Sequence, residues 1–416
     1  MTDYSVTYLV LSYKNLQVLP DLSLYKNLQS LYCSNNQLTS LNNLPPTLQK
    51  LVCSNNRLAS LNNLPLTLQE LHCQDNKLTS LDNLPPNLQK LNCSNNRITS
   101  LDHLPPNLQE LGCSNNYLTS LDDLPPNLQQ LHCDNNQLTR LGFRGSDNDR
   151  LESAFGTSLP KTLQRLYCHH NQLTSLDHLP PNLQTLWCQY NQLTSLEHLP
   201  STLKTLDCYN NQLTRIGVRL ESAFGISLEH LPSTLQELHC QNNQLTSLNN
   251  LPPNLQELCC RDNQLTSLEN LPLNLLFVNC SNNPLTSLEN LPPTLQTLYC
   301  EKNHLTSLDN LPHTLQELYC SNNELTRLEN LPRNLQILYC YHNQLTSLTN
   351  LPPNLQILCC SNNKLTSLDI LPVTLHRLEC TENPIYTSYG FQLSEKTVEQ
   401  YNEKFMYVPF VFRRDK

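Results

Sequence analysis

The sequence is poor in glycine, tryptophan and methionine, and it contains no long hydrophobic run. It has 7 glycines, one tryptophan and two methionines among 416 residues. No stretch approaches the roughly 18 consecutive apolar residues that indicate a membrane-spanning helix. The first residues lack the basic and apolar segments of a signal peptide. We therefore expect no membrane contact and a reducing compartment, the cytoplasm.

Basic residues are also scarce relative to acidic ones. The chain has 26 Lys and Arg against 35 Asp and Glu, a formal charge of −9. Proteins that bind nucleic acids need clustered positive charge, so this balance argues against a nucleic-acid partner. The sequence has no glycine-rich phosphate loop and no G-x-S-x-G nucleophile turn. These absences predict a protein that is not an enzyme and takes no cofactor.

Metal binding is the remaining chemistry that histidine could supply. His132, His169 and His170 lie on neighbouring repeats, where they could approach each other across adjacent strands. Side by side on one pleated face they would diverge by the strand period, and we expect no carboxylate between them. Cysteines 20 residues apart do not form the close pairs typical of zinc ligands. We expect no metal site.

Cysteine, by contrast, is abundant and regularly spaced. Of the 19 cysteines, 17 lie in three blocks in which consecutive cysteines are 20 residues apart, and an asparagine follows each of the 17 by three places. The blocks are Cys33, Cys53, Cys73, Cys93, Cys113 and Cys133, then Cys168, Cys188 and Cys208, then Cys240, Cys260, Cys280, Cys300, Cys320, Cys340, Cys360 and Cys380. Such a short period predicts a stacked repeat array instead of several globular domains.

Each unit carries the same apolar frame around its cysteine. In the first unit the frame residues are Leu28, Leu31, Cys33, Asn36, Leu38, Leu41, Leu44 and Pro45. The pattern, L-x-x-L-x-C-x-x-N-x-L-x-x-L-x-x-L-P, resembles the leucine-rich repeat family over about residues 6–385. The 20-residue length and the L-P-P segment are similar to the short class found in bacterial type III effectors, and to cysteine-bearing repeats of large DNA viruses. That likeness extends the expected location to the cytoplasm of a host cell.

The residue pattern predicts the same architecture independently of the resemblance. Leu31, Tyr32 and Cys33 alternate inward, outward and inward, as in a short strand with one buried face. The Pro-Pro pair of the L-P-P segment forbids a regular helix on the return side. We therefore predict a leucine-rich-repeat solenoid with a curved parallel β-sheet, an extended or polyproline-like convex side and little helix.

Two columns of the frame have structural roles in this prediction. Cys33 and its counterparts point into the core, where a thiol behaves as a small hydrophobe and is chemically inert. Thiols in register point the same way, which suits a disulfide poorly. Asn36 and its counterparts donate and accept hydrogen bonds at once, so they bridge neighbouring turns. The Asn or Asp before that column, such as Asn35, is expected to take turn conformations.

The predicted organisation has three parts and two insertions. Residues 1–27 are a degenerate N-terminal capping repeat, residues 28–385 are the seventeen-unit array, and residues 386–416 are a C-terminal cap with a short helix. Insertions near 140–157 and 215–226 carry the related segments RLESAFGTSL and RLESAFGISL. Each segment is predicted to form one short helix. The insertions are either tolerated loops or flaps that add a second contact surface.

Function is expected at the outward strand positions, because packing occupies the frame residues. Early units alternate Lys50, Glu70, Lys90 and Glu110 along one column, which predicts a solvated face of opposed charges. Two later stretches are aromatic instead: Arg165, Tyr167, His169, His170, Trp187, Tyr190 and Tyr209 in the first, and Tyr299, Tyr319, Ile337, Tyr339, Tyr341, His342 and Ile357 in the second. Since Trp, Tyr and Arg dominate binding hot spots, at least one stretch binds a protein, or both are neutral variation on an exposed face.

The leading hypothesis is a monomeric, non-catalytic scaffold that binds a protein partner through the concave face of the array. The alternative is a substrate-recognition subunit or effector that works with a separate ubiquitin ligase or another host-directed enzyme, as the resemblance implies. No cysteine and only 36 residues follow Cys380. We therefore expect no catalytic ligase domain after the repeats.

Overall fold

The computed structural model describes most of the repeat array. It covers residues 4–122, 124–141, 159–176, 179–196, 199–214, 216, 218–219, 229–248, 250–268, 270–366, 368 and 371–384. The chain divides into two compact units, Met1–Gln212 and Leu213–Lys416. Within the described ranges the elements of secondary structure are strands, except that the last described residue, Pro384, is helical. No helix there has the length and apolar character of a membrane span.

The first unit contains ten strands of three residues each. They are β1 (Tyr8–Val10), β2 (Ser30–Tyr32), β3 (Lys50–Val52), β4 (Glu70–His72), β5 (Lys90–Asn92), β6 (Glu110–Gly112), β7 (Gln130–His132), β8 (Arg165–Tyr167), β9 (Thr185–Trp187) and β10 (Thr205–Asp207). Each strand pairs in parallel with the next. Strands β2 to β10 each end directly before a cysteine of the 20-residue frame.

The second unit begins with a short antiparallel pair and continues with eight parallel strands. The pair is β11 (Val218–Arg219) with β12 (Glu229–His230). The parallel strands are β13 (Glu237–His239), β14 (Glu257–Cys259), β15 (Phe277–Asn279), β16 (Thr297–Tyr299), β17 (Glu317–Tyr319), β18 (Ile337–Tyr339), β19 (Ile357–Cys359) and β20 (Arg377–Glu379). Consecutive strands again pair in parallel. The predicted leucine-rich-repeat solenoid is thereby confirmed.

The register of the strands places leucine beside leucine in the core. Leu31 is the Cα partner of Leu51, and Leu51 is the partner of Leu71. The middle residue of β2 is buried and its two neighbours are half-buried, and this pattern recurs along the array. Because successive side chains of a strand point to opposite faces, the first and third residues of each strand form the outward face of the sheet.

The chain returns from one strand to the next through turns. In the first array repeat, turns fall at Asn42–Asn43 and at Pro46–Thr47. Leu48 N donates a hydrogen bond to Pro45 O at 3.2 Å. The residue after the proline pair links neighbouring repeats, since Thr47 Oγ1 donates to Leu28 O at 2.8 Å. The prediction of a return side with little helix is confirmed.

The cysteine column lies in the core, as predicted. The 17 frame cysteines have exposures from 0% to 6%. All 19 cysteines fall within the described residues, and none of them forms a disulfide. Burial raises the pKa of Cys33 and of Cys93 to about 12. Because the thiolate is the reactive form of cysteine, these thiols are inert at neutral pH.

The asparagine column ties each turn to its neighbours, also as predicted. Asn56 Nδ2 donates to the carbonyl oxygen of Cys53 in its own repeat and to that of Cys33 in the repeat before, both at 3.0 Å. Asn56 Oδ1 accepts a hydrogen bond from Leu38 N at 3.0 Å. One amide thus pairs backbone groups that would otherwise be buried without partners.

Two further columns hold the backbone in the left-handed region. Asn35 and Asp75, in the predicted turn column, have φ of 56° and 59°. A second column was not predicted: Asn43 and Asn63 have φ of 60° and 61°. Asparagine tolerates this region better than most residues. In this glycine-poor chain it therefore occupies turn positions that glycine often fills. In some repeats the first column instead carries His170, Tyr190, Lys302, His342 or Glu382, with φ from 51° to 54°.

The predicted ends and insertions are described only in part. At the start, β1 pairs with β2, with Leu9 as the Cα partner of Leu31. In the second insertion Arg219, where the helix was predicted to begin, lies in β11 instead. The remainder of both predicted insertion helices, and the C-terminal cap at 386–416, lie outside the described residues.

Candidate protein-binding surface

The outward face of the early repeats is held by ion pairs. Lys50 Nζ lies 2.8 Å from Glu70 Oε1, and Lys90 Nζ lies 2.7 Å from Glu110 Oε1. Each pair joins the first residues of two neighbouring strands. The predicted solvated face of opposed charges is confirmed, and the side chains on it already satisfy one another.

The first aromatic stretch, Arg165 to Tyr209, is here called the Trp187 patch. Aromatic rings on neighbouring strands pack on one another here. Tyr167 stacks on His132, with ring centroids 4.2 Å apart, and meets the edge of Trp187 at 4.9 Å and 88°. Trp187 nevertheless remains 36% exposed. The arrangement leaves Trp187 partly open to solvent.

A second row of rings runs through the left-handed turn column of the same patch. His170 stacks on Tyr190 at 4.1 Å, and Tyr190 meets the edge of Tyr209 at 5.4 Å. Tyr190 is 43% exposed. Arg165, at the other side of the patch, donates from Nε to Gln130 Oε1 at 3.0 Å. The sequence-predicted residues of the first unit therefore form one continuous surface.

Carboxylates lie inside this patch, contrary to the prediction that none separates its histidines. Asp134 Oδ2 is 3.6 Å from His169 Nε2, and Asp134 Oδ1 accepts a hydrogen bond from Ser114 Oγ at 2.6 Å. Burial lowers the pKa of His169 and of His132, while the charge of Asp134 opposes that shift. Both imidazoles are therefore neutral at pH 7. The period-20 alignment did contain the signal, because Asp134 occupies the same repeat position as His169.

Asp207 and Gln189 complete the base of the Trp187 patch, and sequence reasoning missed both. Asp207 is the Cα partner of Trp187 on the neighbouring strand and is only 8% exposed. Gln189 is 6% exposed. Burial raises the pKa of the Tyr209 phenol, with smaller contributions from Tyr190 and Asp207. Buried polar groups thus lie in the same patch as the exposed rings.

The second aromatic stretch, Tyr299 to Ile357, is here called the tyrosine patch. Tyr299 and Tyr319 stack with centroids 4.0 Å apart and planes at 4°, and Tyr319 stacks on Tyr339 at 5.1 Å. Phe277, which sequence reasoning missed, extends the row at 5.7 Å from Tyr299. The three tyrosines are half-buried, because each ring covers its neighbour. Burial raises the pKa of Tyr319.

The remaining residues of the tyrosine patch flank this row. Ile337 is the Cα partner of Ile357 on the next strand, one position before the tyrosine column. Tyr341 meets the ring of His342 at 5.6 Å on the other side. The structure thus packs Tyr299, Tyr319 and Tyr339 in one row and pairs Ile337 with Ile357 on neighbouring strands, whereas His342 is exposed.

A shallow cavity of about 590 Å³ opens at Pro284. In neighbouring repeats Gln264 N and His304 N each donate a hydrogen bond of 2.9 Å to the preceding turn. Proline has no N–H, so the equivalent bond to Leu265 O is missing. The cavity lining includes Asp262, Asn282, Lys302 and His304. Its polar groups pair with neighbours, as His304 Nδ1 does with Glu324 Oε1 at 3.1 Å.

The geometry offers little support for metal chemistry. Among the residues that the structure describes, no group of three or more His, Cys, Asp and Glu side chains is placed to hold a metal ion. The conspicuous features are aromatic surfaces on a rigid sheet. Such surfaces are typical of protein recognition.

Comparisons with known proteins agree with the repeat frame. A family model described as Leucine Rich repeats (2 copies) matches residues 66–106, 86–126, 106–149, 161–201 and 313–353, and one described as Leucine Rich Repeat matches residues 27–51. The chain is 34% identical to YopM from Yersinia enterocolitica WA-314, with a TM-score of 0.77 over 91% of this chain and 88% of that one. The chain belongs to the leucine-rich repeat family.

Other leucine-rich repeat structures resemble the chain at lower identity. YopM from Yersinia pestis, described as a leucine-rich effector protein, is 29% identical with a TM-score of 0.59, over 90% of this chain and 88% of that one. The functional domain of InlJ from Listeria monocytogenes, which includes a cysteine ladder, is 26% identical with a TM-score of 0.60, over 84% and 70%. No match was found among curated proteins. Leucine-rich repeat arrays of this kind typically serve as interaction domains.

Proposed function

We propose that this protein is a non-catalytic scaffold that binds a protein partner through the concave face of its repeat array. The observation that carries the proposal is the contrast along the outward strand positions. Early repeats present ion pairs such as Lys50–Glu70 that satisfy each other, whereas the Trp187 patch presents a partly exposed tryptophan among stacked rings. Exposed aromatic surface is costly in water and is typical of interfaces.

The test compares capture of partners by full-length protein and by two variants, Trp187→Ala and Tyr339→Ala, followed by mass spectrometry. Each variant is expected to lose the same subset of captured proteins while its circular dichroism spectrum stays native. Glu110→Gln is the matched control, because it alters an exposed outward side chain at the first position of a strand. Identical capture by all four proteins would contradict the proposal.

The non-catalytic part of the proposal is supported by the state of the thiols. The frame cysteines are buried, and burial raises their pKa values, as for Cys53 and Cys73. A thiol of this kind cannot act as the acyl-accepting nucleophile of a ubiquitin ligase at neutral pH. Incubation with a ubiquitin-charged carrier is expected to give no thioester on this chain. Formation of such a thioester would contradict this part of the proposal.

A second candidate function is that of an effector that recruits a host protein to a separate enzyme. The likeness to YopM from Yersinia pestis, described as a leucine-rich effector protein, favours it. The location that fits both candidates is a reducing cytoplasm, that of the producing cell or of a host. The 17 buried frame cysteines form no disulfide, and this supports a reducing location. Fractionation of cells that make the tagged protein tests it.

A further inference from the structure

The Trp187 patch combines open aromatic rings with buried negative charge. Trp187 and Tyr190 are 36% and 43% exposed. The same patch contains Asp134 and Asp207, which are 9% and 8% exposed. Asp207 is the direct strand neighbour of Trp187, and Asp134 approaches His169 at 3.6 Å. Two carboxylates therefore act on one small surface through surroundings that water screens weakly.

Two of the neighbouring imidazoles add no positive charge to this field. His132 and His169 are neutral at pH 7, because burial lowers the pKa of each. Arg165 is engaged at the far side, where its Nε donates to Gln130 Oε1. The electrostatic influence of Asp134 and Asp207 meets at His169, between the two aromatic rows. The middle of the patch is thus both aromatic and electronegative.

The patch contains two buried hydrogen-bond acceptors without a partner. In the described part of the chain, Gln189 Oε1 is buried and has no hydrogen-bond partner. The residue as a whole is only 6% exposed. His169 Nδ1 is likewise buried and unpartnered. With its proton on Nε2, toward Asp134, the neutral imidazole presents Nδ1 as an acceptor. Buried acceptors of this kind require an explanation, and a donor-rich ligand supplies one.

We propose that the Trp187 patch binds a cationic side chain, the ammonium group of lysine or the guanidinium group of arginine, that a protein partner presents. This inference rests on the proposed scaffold function and names the chemistry that the scaffold recognises. A cation over an aromatic face is attracted by the negative charge of the ring face, most strongly for tryptophan. Lysine and arginine carry only donors, which match the acceptors of Gln189 and His169.

Access to the buried acceptors requires a movement of the side chains around them. Exposed side chains change rotamer within nanoseconds. Rotation of Trp187 or Tyr190 admits the end of a long side chain to Gln189 and the carboxylates. The same ring then closes over the methylene stem of the bound residue, as aromatic and aliphatic surfaces favour. A short or acidic side chain would gain neither contact.

The test uses the fluorescence of Trp187, the one tryptophan in the chain. The probes are blocked tripeptides, glycine–X–glycine, in which X is arginine, lysine, citrulline or norleucine. Citrulline matches arginine in shape without charge, and norleucine supplies the apolar stem of lysine. Arginine and lysine peptides are expected to change Trp187 emission saturably, and the neutral peptides are not. Comparison of the two cations shows which of them the patch prefers.

Two substitutions test the origin of the affinity. Asp207→Asn and Asp134→Asn each remove a charge and keep the shape, and we expect either to weaken binding roughly fivefold to tenfold. Asp75→Asn is the matched control, because asparagine already occupies its position in other repeats. Native circular dichroism spectra establish that the variants fold. Equal responses to arginine and citrulline, no saturable response, or wild-type affinity in both patch variants would overturn the inference.

Failure of this inference is distinguishable from failure of the scaffold function. If the tripeptides do not bind while Trp187→Ala still abolishes capture of a protein partner, the scaffold stands and the recognised group is not a cation. If the cationic tripeptides bind but neither aromatic variant affects capture, the patch recognises cations and the scaffold proposal falls.

Discussion

Asn191 Nδ2 donates a hydrogen bond to the carbonyl oxygen of Cys168, one repeat earlier in the chain, at 3.1 Å. The same group bonds to Cys188 O at 3.0 Å, and Asn191 Oδ1 accepts from Leu173 N at 3.0 Å. A single side chain therefore joins two turns of the solenoid. Asn191 is only 9% exposed, so water cannot replace these hydrogen bonds.

Replacing that amide should destabilise the array locally. Asn191→Ala leaves Leu173 N without its acceptor and two carbonyls without their donor, and we expect a loss of about 2–4 kcal/mol in unfolding free energy. Urea denaturation followed by circular dichroism measures it. Asn210→Gly serves as the control, because glycine readily adopts the φ of 50° found there and should cost about 0.5 kcal/mol or less. Equal losses in the two variants would contradict the bridging role.

Lys302 is expected to be strained in a position that asparagine fills in other repeats. Its φ is 52°, and left-handed backbone costs most L-residues about 1–2 kcal/mol. Lys302→Asn should therefore raise the unfolding free energy by about 0.5–1 kcal/mol. The matched comparison is Tyr190→Asn, which relieves the same strain but loses the ring stacked on His170 at 4.1 Å. Since such a stack is worth about 0.5–1.5 kcal/mol, that variant should change stability little.

Thiol reactivity should single out one cysteine. Cys259 is half-buried, on the outward position of β14, whereas the frame cysteines are buried. Native protein treated with a bulky maleimide is expected to take up one label rapidly, and peptide mapping should place it on Cys259. Cys259→Ser should remove that label. Rapid labelling of several frame cysteines would mean that the thiol column faces water, and the fold described here would be wrong.

Alkaline pH should unfold the array abruptly. Burial raises the pKa of Cys33 and of Cys93 to about 12, while an unfolded thiol titrates near about 8.5. Between these values the unfolded chain loses protons that the folded chain retains, so stability falls as pH rises, by about 1.4 kcal/mol per pH unit for each thiol. Below the unfolded pKa the contribution is fully present.

The whole column acts together in this titration. The summed loss exceeds the roughly 5–15 kcal/mol of a typical domain within about one pH unit above 9. Circular dichroism against pH should show a steep transition there. A variant with Cys53→Ala and Cys73→Ala should have a shallower pH dependence, because fewer thiols titrate. A native spectrum at about pH 11 would contradict the buried column.

Much of the fold followed from the sequence, because each frame residue has one packing role. The 20-residue period identified Leu31, Cys33 and Asn36 as inward residues and assigned the amide its bridging bonds, which the structure shows at the equivalent Asn56. The sequence pattern did not identify the second left-handed column, at Asn43, since asparagine is common at both turns. Its φ of 60° depends on the return path, which the strand pattern does not encode.

The candidate site was predictable in position but not in detail. The period shows that Tyr167 and Trp187 share a column, yet side-chain rotamers decide that their rings meet at 88°. The prediction did not include Asp134 beside His169, because it compared only the aromatic residues of successive repeats. The contacts of Asp207 with the patch depend on strand register at the level of single residues. Whether either patch binds a protein stays a prediction.

The proline at position 284 gives the second unit a point of mechanical weakness. At the neighbouring turns Gln264 N and His304 N each donate a backbone hydrogen bond to the preceding coil, which Pro284 cannot do, nor can Pro384 at the last described turn. Under tension applied along the stack, the coils on either side of Leu265 should part before coils whose turn keeps this hydrogen bond. The missing N–H of one imino acid thus sets a place within the second unit where neighbouring coils should begin to separate.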